Sequence, residues 1–239
     1  MRKVQFVPNE IYHIYNRGAD KCDIFREEND RWRCLQGLCL FNDEVNSSNL
    51  LWQLENAHGG VTLRVLKDFF VAHGKERKPL ARIMAYCLMP NHFHLLIEEV
   101  RKGGISGFMQ KFGGGYSRYF DKKYDRSGHL YEGPFKAVWV KNEDQLKYLL
   151  AYINVINPGQ LIEPRLKEEG AKDVDAIMKF AEEYPWSTHQ EYLGKRNSII
   201  IDKGLLEKMF ANPEEYRNFA REILLGKKFD IINDLMLDE

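Results

Sequence analysis

Hydrophobic and polar positions alternate along this chain with two different periods. Ile11-Tyr12-His13-Ile14-Tyr15 is β-branched and aromatic and is closed by Asn16-Arg17-Gly18, which predicts a first strand running into a turn. Phe25, Trp32, Leu35, Leu38 and Phe41 then recur at spacings of three or seven residues, one face of a helix, with Asp23 placed to cap it and Glu27-Glu28 in its first turns. Two more strands are expected over 81–88 and 92–98, joined as a hairpin by Met89-Pro90-Asn91. A second helix is expected over 105–124 from Phe108, Phe112, Tyr116 and Tyr119, interrupted at Gly113-Gly114-Gly115. A fourth strand over 130–140 and a core helix over 145–156 follow, with Pro158-Gly159 as the stop signal.

The order strand, helix, strand, strand, helix, strand predicts an α+β fold of the ferredoxin-like, split βαβ kind. Its antiparallel sheet would carry helices on one face and leave the other free for ligands. Residues 1–160 form the expected main domain. They include an insertion around 43–79, rich in Asn, Ser and Gly about an apolar patch at Val61–Val71. Residues 161–239 read as a helical C-terminal extension, with helical patterns over 174–183, 205–211 and 213–225.

Composition changes this picture little, and charge changes it more. With 44% hydrophobic, 13% aromatic and 29% charged residues in 239, the chain is a folded globular protein and not a disordered or low-complexity one. No apolar run is long enough to span a membrane, and the N-terminus lacks the apolar region of a signal peptide, so a cytoplasmic protein is expected. Four cysteines without a C-x-x-C pair argue for buried, reduced thiols. Formal charge is zero, yet Val100–Lys141 holds nine Lys/Arg against three acids, whereas from Leu161 onward there are 12 basic and 17 acidic residues. The first segment can face phosphate and the second cannot.

His92-Phe93-His94 is the sharpest chemical feature. Strand alternation projects both imidazoles from one face, where they can chelate a metal, although His-x-His also occurs as two sheet histidines with no ligand. A third ligand has to come from elsewhere: the oxygens of Asn154, Asn157 or Glu98, or the thiolate of Cys87. Cys87 would favour zinc and hydrolytic chemistry; an oxygen with open water positions would suit Mg²⁺ or Mn²⁺. Tyr152, on the expected last core helix, reads either as a core aromatic or as a nucleophile; a phenol attacks only where a metal polarises its target.

The run from Ala85 to Glu98 resembles the HUH motif of single-tyrosine transposases, specifically the REP-associated group related to small insertion-sequence transposases. The similarity extends to Tyr12–Gly18, Phe108–Lys111, Tyr116–Phe120, Ser127–Gly133, Phe135–Ala137, Tyr152-Ile153, Asn157-Pro158 and Tyr184–Ser187, in the family's order over most of residues 10–195.

That resemblance implies an enzyme that cleaves and rejoins single-stranded or hairpin DNA. His92, His94 and Asn157 would hold Mg²⁺ or Mn²⁺. Tyr152 would attack the scissile phosphate, leaving a 5′-phosphotyrosine link and a free 3′-hydroxyl. Arg118, Lys122, Lys123 and Arg126, with Arg17, Lys111 and Lys136, would contact DNA phosphates; a solvated helix face is the plain alternative for the helical ones. In one respect the chain departs from the family. The tyrosine there precedes the Asn of Asn-Pro by four residues, whereas Tyr152 and Asn157 are five apart. A bulge or tighter turn would restore Asn157, Asn154 or water would replace it, or the third ligand is lost. Anchoring the register on Pro158 instead puts Ile153 in the nucleophile's place, and the protein becomes a structured-DNA or RNA-binding module without catalysis. Whether Tyr152 serves its own histidines or those of a second subunit in a homodimer stays open.

Overall fold

The computed structural model describes residues 4–44, 67–68 and 77–226. Apart from 67–68, the apolar patch at 61–71 lies outside the described residues, as do most of the expected insertion and positions 227–239.

Four strands, β1 (Ile11–Arg17), β2 (Arg82–Met89), β3 (His92–Glu98) and β4 (Lys136–Trp139), form one sheet in the order β2-β3-β1-β4. Every pairing is antiparallel. With α1 (Glu28–Leu40) between β1 and β2 and α2 (Gly104–Lys123) between β3 and β4, this is the split βαβ arrangement. The fourth strand is shorter than its apolar pattern, because Gly133-Pro134 interrupts it before Lys136.

α1 begins later than expected. Glu27, not Asp23, caps it, in a reciprocal capping box with Asp30. α2 runs unbroken through Gly113–Gly115, and at Gly115 the missing side chain makes room for the Phe41 ring, which an added Cβ would meet at 2.6 Å. These two helices cover one face of the sheet: Phe112 of α2 meets Phe93 of β3 edge to face at 5.5 Å.

The other face is not open, contrary to expectation. α3 (Glu143–Ala151), capped by Asn142, continues into a π-helical turn, Tyr152–Ile156, that packs across it. The physical reason lies in β3 itself, where His94, Leu96 and Cys87 of its β2 neighbour are apolar or neutral and fully buried; such a face is covered rather than left wet. The C-terminal residues then pack on the edge of β2. Leu88 donates to the Trp186 carbonyl at 2.9 Å and Thr188 to the Tyr86 carbonyl at 3.0 Å, so the Tyr184–Ser187 motif pairs beside β2. α4 (Val174–Glu183) and α5 (Pro213–Leu224) complete this layer; the pattern over 205–211 is a 3₁₀ turn, Gly204–Lys208.

Candidate active site

β1 and β3 pair with Tyr15 opposite His94 and Arg17 opposite His92. Alternation therefore gathers His13, Tyr15, Arg17, His92 and His94 on a single face of two central strands. The His92 and His94 rings lie 4.9 Å apart, edge to face. His94 is buried and its Nδ1 is 2.9 Å from Nε2 of His13, also buried. His92 is partly exposed and its Nδ1 meets Asn91 Oδ1 at 2.6 Å. Burial, reinforced by the neighbouring His92, His13 and Lys167, holds the His94 imidazole well below its ordinary pKa and hence neutral, the form that ligates metals.

Tyr152 stands edge-on to both buried rings, 5.6 Å from that of His94 and 6.1 Å from that of His13. It is Tyr152, and not Ile153, that faces the histidines. The residue is only 5% exposed, and its hydroxyl accepts a hydrogen bond from Lys167 Nζ. Lys167, in turn, lines a cavity of about 410 Å³ together with Tyr15, Arg17, His92, Lys136 and Gln160. A second cavity of about 800 Å³ shares Glu132, Gly133 and Pro134 with the first and continues past His129 to Ser117, so the two form a groove across the β4 end of the sheet.

The candidates for a third ligand separate. Asn154 is fully buried with both ends of its amide committed, donating to Tyr216 Oη at 3.0 Å and accepting from Thr188 Oγ1 at 2.7 Å. Glu98 is paired with Arg82 at 2.5 Å at the far end of β3. Cys87 lies opposite His94 and is fully buried, and with no metal beside it burial pushes its thiol well up. At Asn157 the π turn absorbs the extra residue: its backbone N–H donates to the Tyr152 carbonyl, so five residues make one turn. Its Oδ1 accepts from Gln160 Nε2 at 3.2 Å. Among the described residues there is no cluster of three or more His, Cys, Asp and Glu side chains able to hold a metal. Two imidazoles at this separation suit one shared ion, and Gln160, whose amide holds Asn157 Oδ1, lines the same cavity as His92.

The expected DNA-contacting residues also separate. Arg17 and Lys136 line the cavity; Arg17 is 3.4 Å from Glu132, and Lys136 Nζ stands 5.6 Å from the Tyr15 ring centre. The five expected on α2 or just after it belong to the opposite side of the sheet. Lys111 donates to the Asp43 carbonyl at 2.8 Å. Lys123 ion-pairs with Asp30 at 2.7 Å and with Glu27, in a cluster where Tyr119 and Tyr124 donate to the same Asp30 carboxylate. Burial works against that carboxylate, but these partners outweigh it and hold Asp30 below the usual carboxylate range. Arg126 donates to the His129 carbonyl at 2.8 Å. Arg118 and Lys122 are exposed on α2.

Three site residues escaped the sequence reading. His13 had a signal: in the split βαβ order its strand adjoins β3, and alternation puts it on the face of the histidine pair. Gln160 and Lys167 had none, since nothing local says that a lysine 15 residues after a tyrosine returns to its hydroxyl.

Comparison with known proteins follows the same lines. Residues 66–155 match the family of IS200-like transposases, a span that includes His92, His94 and Tyr152 and ends just before Asn157. No curated protein matches the sequence. A solved structure, described as a REP-associated tyrosine transposase bound to a REP hairpin, is similar at a TM-score of 0.43 and 10% identity, over 84% of this chain and 93% of that one.

Proposed function

We propose that this chain, whose residues 66–155 match the model of the IS200-like transposases, is a single-tyrosine nickase and strand-transfer enzyme acting on single-stranded or hairpin DNA. The observation that carries this reading is the placement of the Tyr152 ring against His94 and His13, 5.6 and 6.1 Å away, with its hydroxyl hydrogen-bonded by Lys167, which lines a cavity together with Arg17, His92 and Lys136.

His92 and His94 would hold a divalent ion of the Mg²⁺ or Mn²⁺ kind, with an amide oxygen of Asn157 or Gln160 beside them. Because His94 turns Nδ1 to His13, the ion would be taken by Nε2. Such an ion, when bound, supplies Lewis-acid polarisation of a scissile phosphate. Tyr152 Oη forms a bond to phosphorus as the bond from phosphorus to the 3′-oxygen breaks; the phenolic proton passes to solvent and the departing 3′-oxygen takes one up. The product is a 5′-phosphotyrosine ester and a free 3′-hydroxyl, and conserving the ester makes rejoining possible without ATP. Arg17 and Lys136 give the cavity its positive charge, and the adjoining groove past His129 gives the strand a path.

The test is incubation with hairpin-bearing oligonucleotides of varied sequence and Mn²⁺, read on a denaturing gel. A band of protein carrying covalently attached DNA, present in the wild type and missing in Tyr152→Phe while DNA binding persists, is the expected result. DNA binding without any adduct in either protein would leave a binding module of the same fold.

A further inference from the structure

Lys167 belongs to the extension, outside the matched span, yet its ammonium donates to the Tyr152 hydroxyl and stands 4.5 Å from the centre of that ring. Tyr152 is buried and Lys167 lines the cavity, so this ammonium stands between the cavity and the phenol oxygen that it hydrogen-bonds. The placement is built rather than incidental. Leu166, 3% exposed, packs on Gly159, where an added Cβ would fall 2.7 Å from Leu166 Cδ2 and 2.8 Å from Ile177 Cγ2. The Glu163 carboxylate accepts the backbone N–H groups of Lys172 and Asp173, each at 3.0 Å, and folds the segment back over the π turn. A segment acidic overall thus delivers a cation to the hydroxyl of the tyrosine that stands edge-on to both buried histidines.

Attack by Oη bonds phosphorus to that oxygen, so the non-bridging phosphate oxygens must come within reach of a cation already hydrogen-bonded to it. In a partly enclosed site such a cation stabilises developing charge more strongly than it would in water. Resting on the nickase reading, we propose that Lys167 is a catalytic residue: it receives the scissile phosphate at Tyr152 and stays against the non-bridging oxygens of the phosphotyrosine ester. The bond from Oη to phosphorus forms and that to the 3′-oxygen breaks as above; Lys167 keeps its protons throughout.

The full chain carrying Lys167→Met or Lys167→Arg tests this in two arms. With Mn²⁺ and the same oligonucleotides at saturating concentration, adduct formation should slow at least tenfold in K167M and recover largely in K167R, with the melting temperatures of all three proteins close together. In EDTA, on a Tyr152→Phe background, oligonucleotide affinity should fall severalfold in K167M and be retained in K167R. An unchanged adduct rate in K167M would make Lys167 a packing residue, and a faster one would make it a plug that DNA has to displace; either overturns the proposal. If the wild type forms no adduct at all, the nickase reading fails separately, and unchanged affinity of K167M in the EDTA arm then overturns the phosphate contact as well.

Discussion

The backbone N–H of Asn157 donates to the carbonyl of Tyr152, five residues back along the chain rather than four. A π turn absorbs the extra residue, so the helix returns Asn157 to the level of Tyr152. Single π turns of this kind recur at functional sites because they shift one turn of side chains without breaking the helix.

This separates two asparagines three residues apart. Asn157→Ala should raise the Mn²⁺ concentration needed for half-maximal adduct formation roughly tenfold or more. Asn154→Ala should leave that concentration unmoved and instead cost about 3 kcal/mol in urea denaturation, because it orphans Thr188 and Tyr216 in a buried network. The reverse pattern would make Asn154 the ligand.

His13 touches no expected substrate group, but it fixes the orientation of His94 through Nδ1. Loss of a residue that orients a metal-binding histidine typically costs about 10–100-fold in metal affinity. His13→Phe keeps an aromatic ring of similar bulk, and titration calorimetry with Mn²⁺ should show a loss of that size; an unchanged affinity would place the metal elsewhere.

The basic residues should divide by side of the sheet. Arg17→Ala or Lys136→Ala should each flatten the dependence of log affinity for single-stranded DNA on log salt by about 0.7. Lys111→Ala, whose ammonium is spent on the Asp43 carbonyl, should leave the slope alone. Lys123→Ala should lower thermal stability, because it strips Asp30 of its cation. Equal slope changes for Lys111 and Lys136 would contradict this division.

His189 is fully buried, with Nδ1 at 2.8 Å from Tyr216 Oη, and burial pushes its pKa down from 6.5 to about 4. Its folded pKa lies below its unfolded value, so the unfolded chain binds the extra proton. The stabilisation is therefore whole above pH 6.5 and is lost as pH falls towards 4, by up to about 3 kcal/mol. His94 is shifted in the same direction and adds to the same slope. Urea midpoints between pH 7.5 and 4.5 should fall steeply in the wild type and less in His189→Asn; parallel curves would show that His189 does not titrate in this window.

Much of the fold was legible in the chain. Period-two runs marked three of the four strands, and the paired histidines and the hairpin at Pro90-Asn91 follow from local rules, because alternation and turn chemistry act over a few residues. The fourth strand was overcalled because an apolar run does not reveal where Gly133-Pro134 ends the pairing. The continuity of α2 is not legible locally because three glycines weaken a helix, while the Phe41 ring that packs against one of them lies just past the end of α1.

By itself the sequence determined which residue types were available: two imidazoles on one strand face, a phenol on the last core helix and an asparagine one residue too far from it. Tertiary structure decided which of them meet. The burial of His94 beside His13, the closing of the five-residue gap, the commitment of Asn154 and Cys87 to the interior and the return of Lys167 to the Tyr152 hydroxyl all depend on contacts between segments distant in sequence. Such contacts are selected by burial and packing of the whole chain, and no local pattern of residues encodes them.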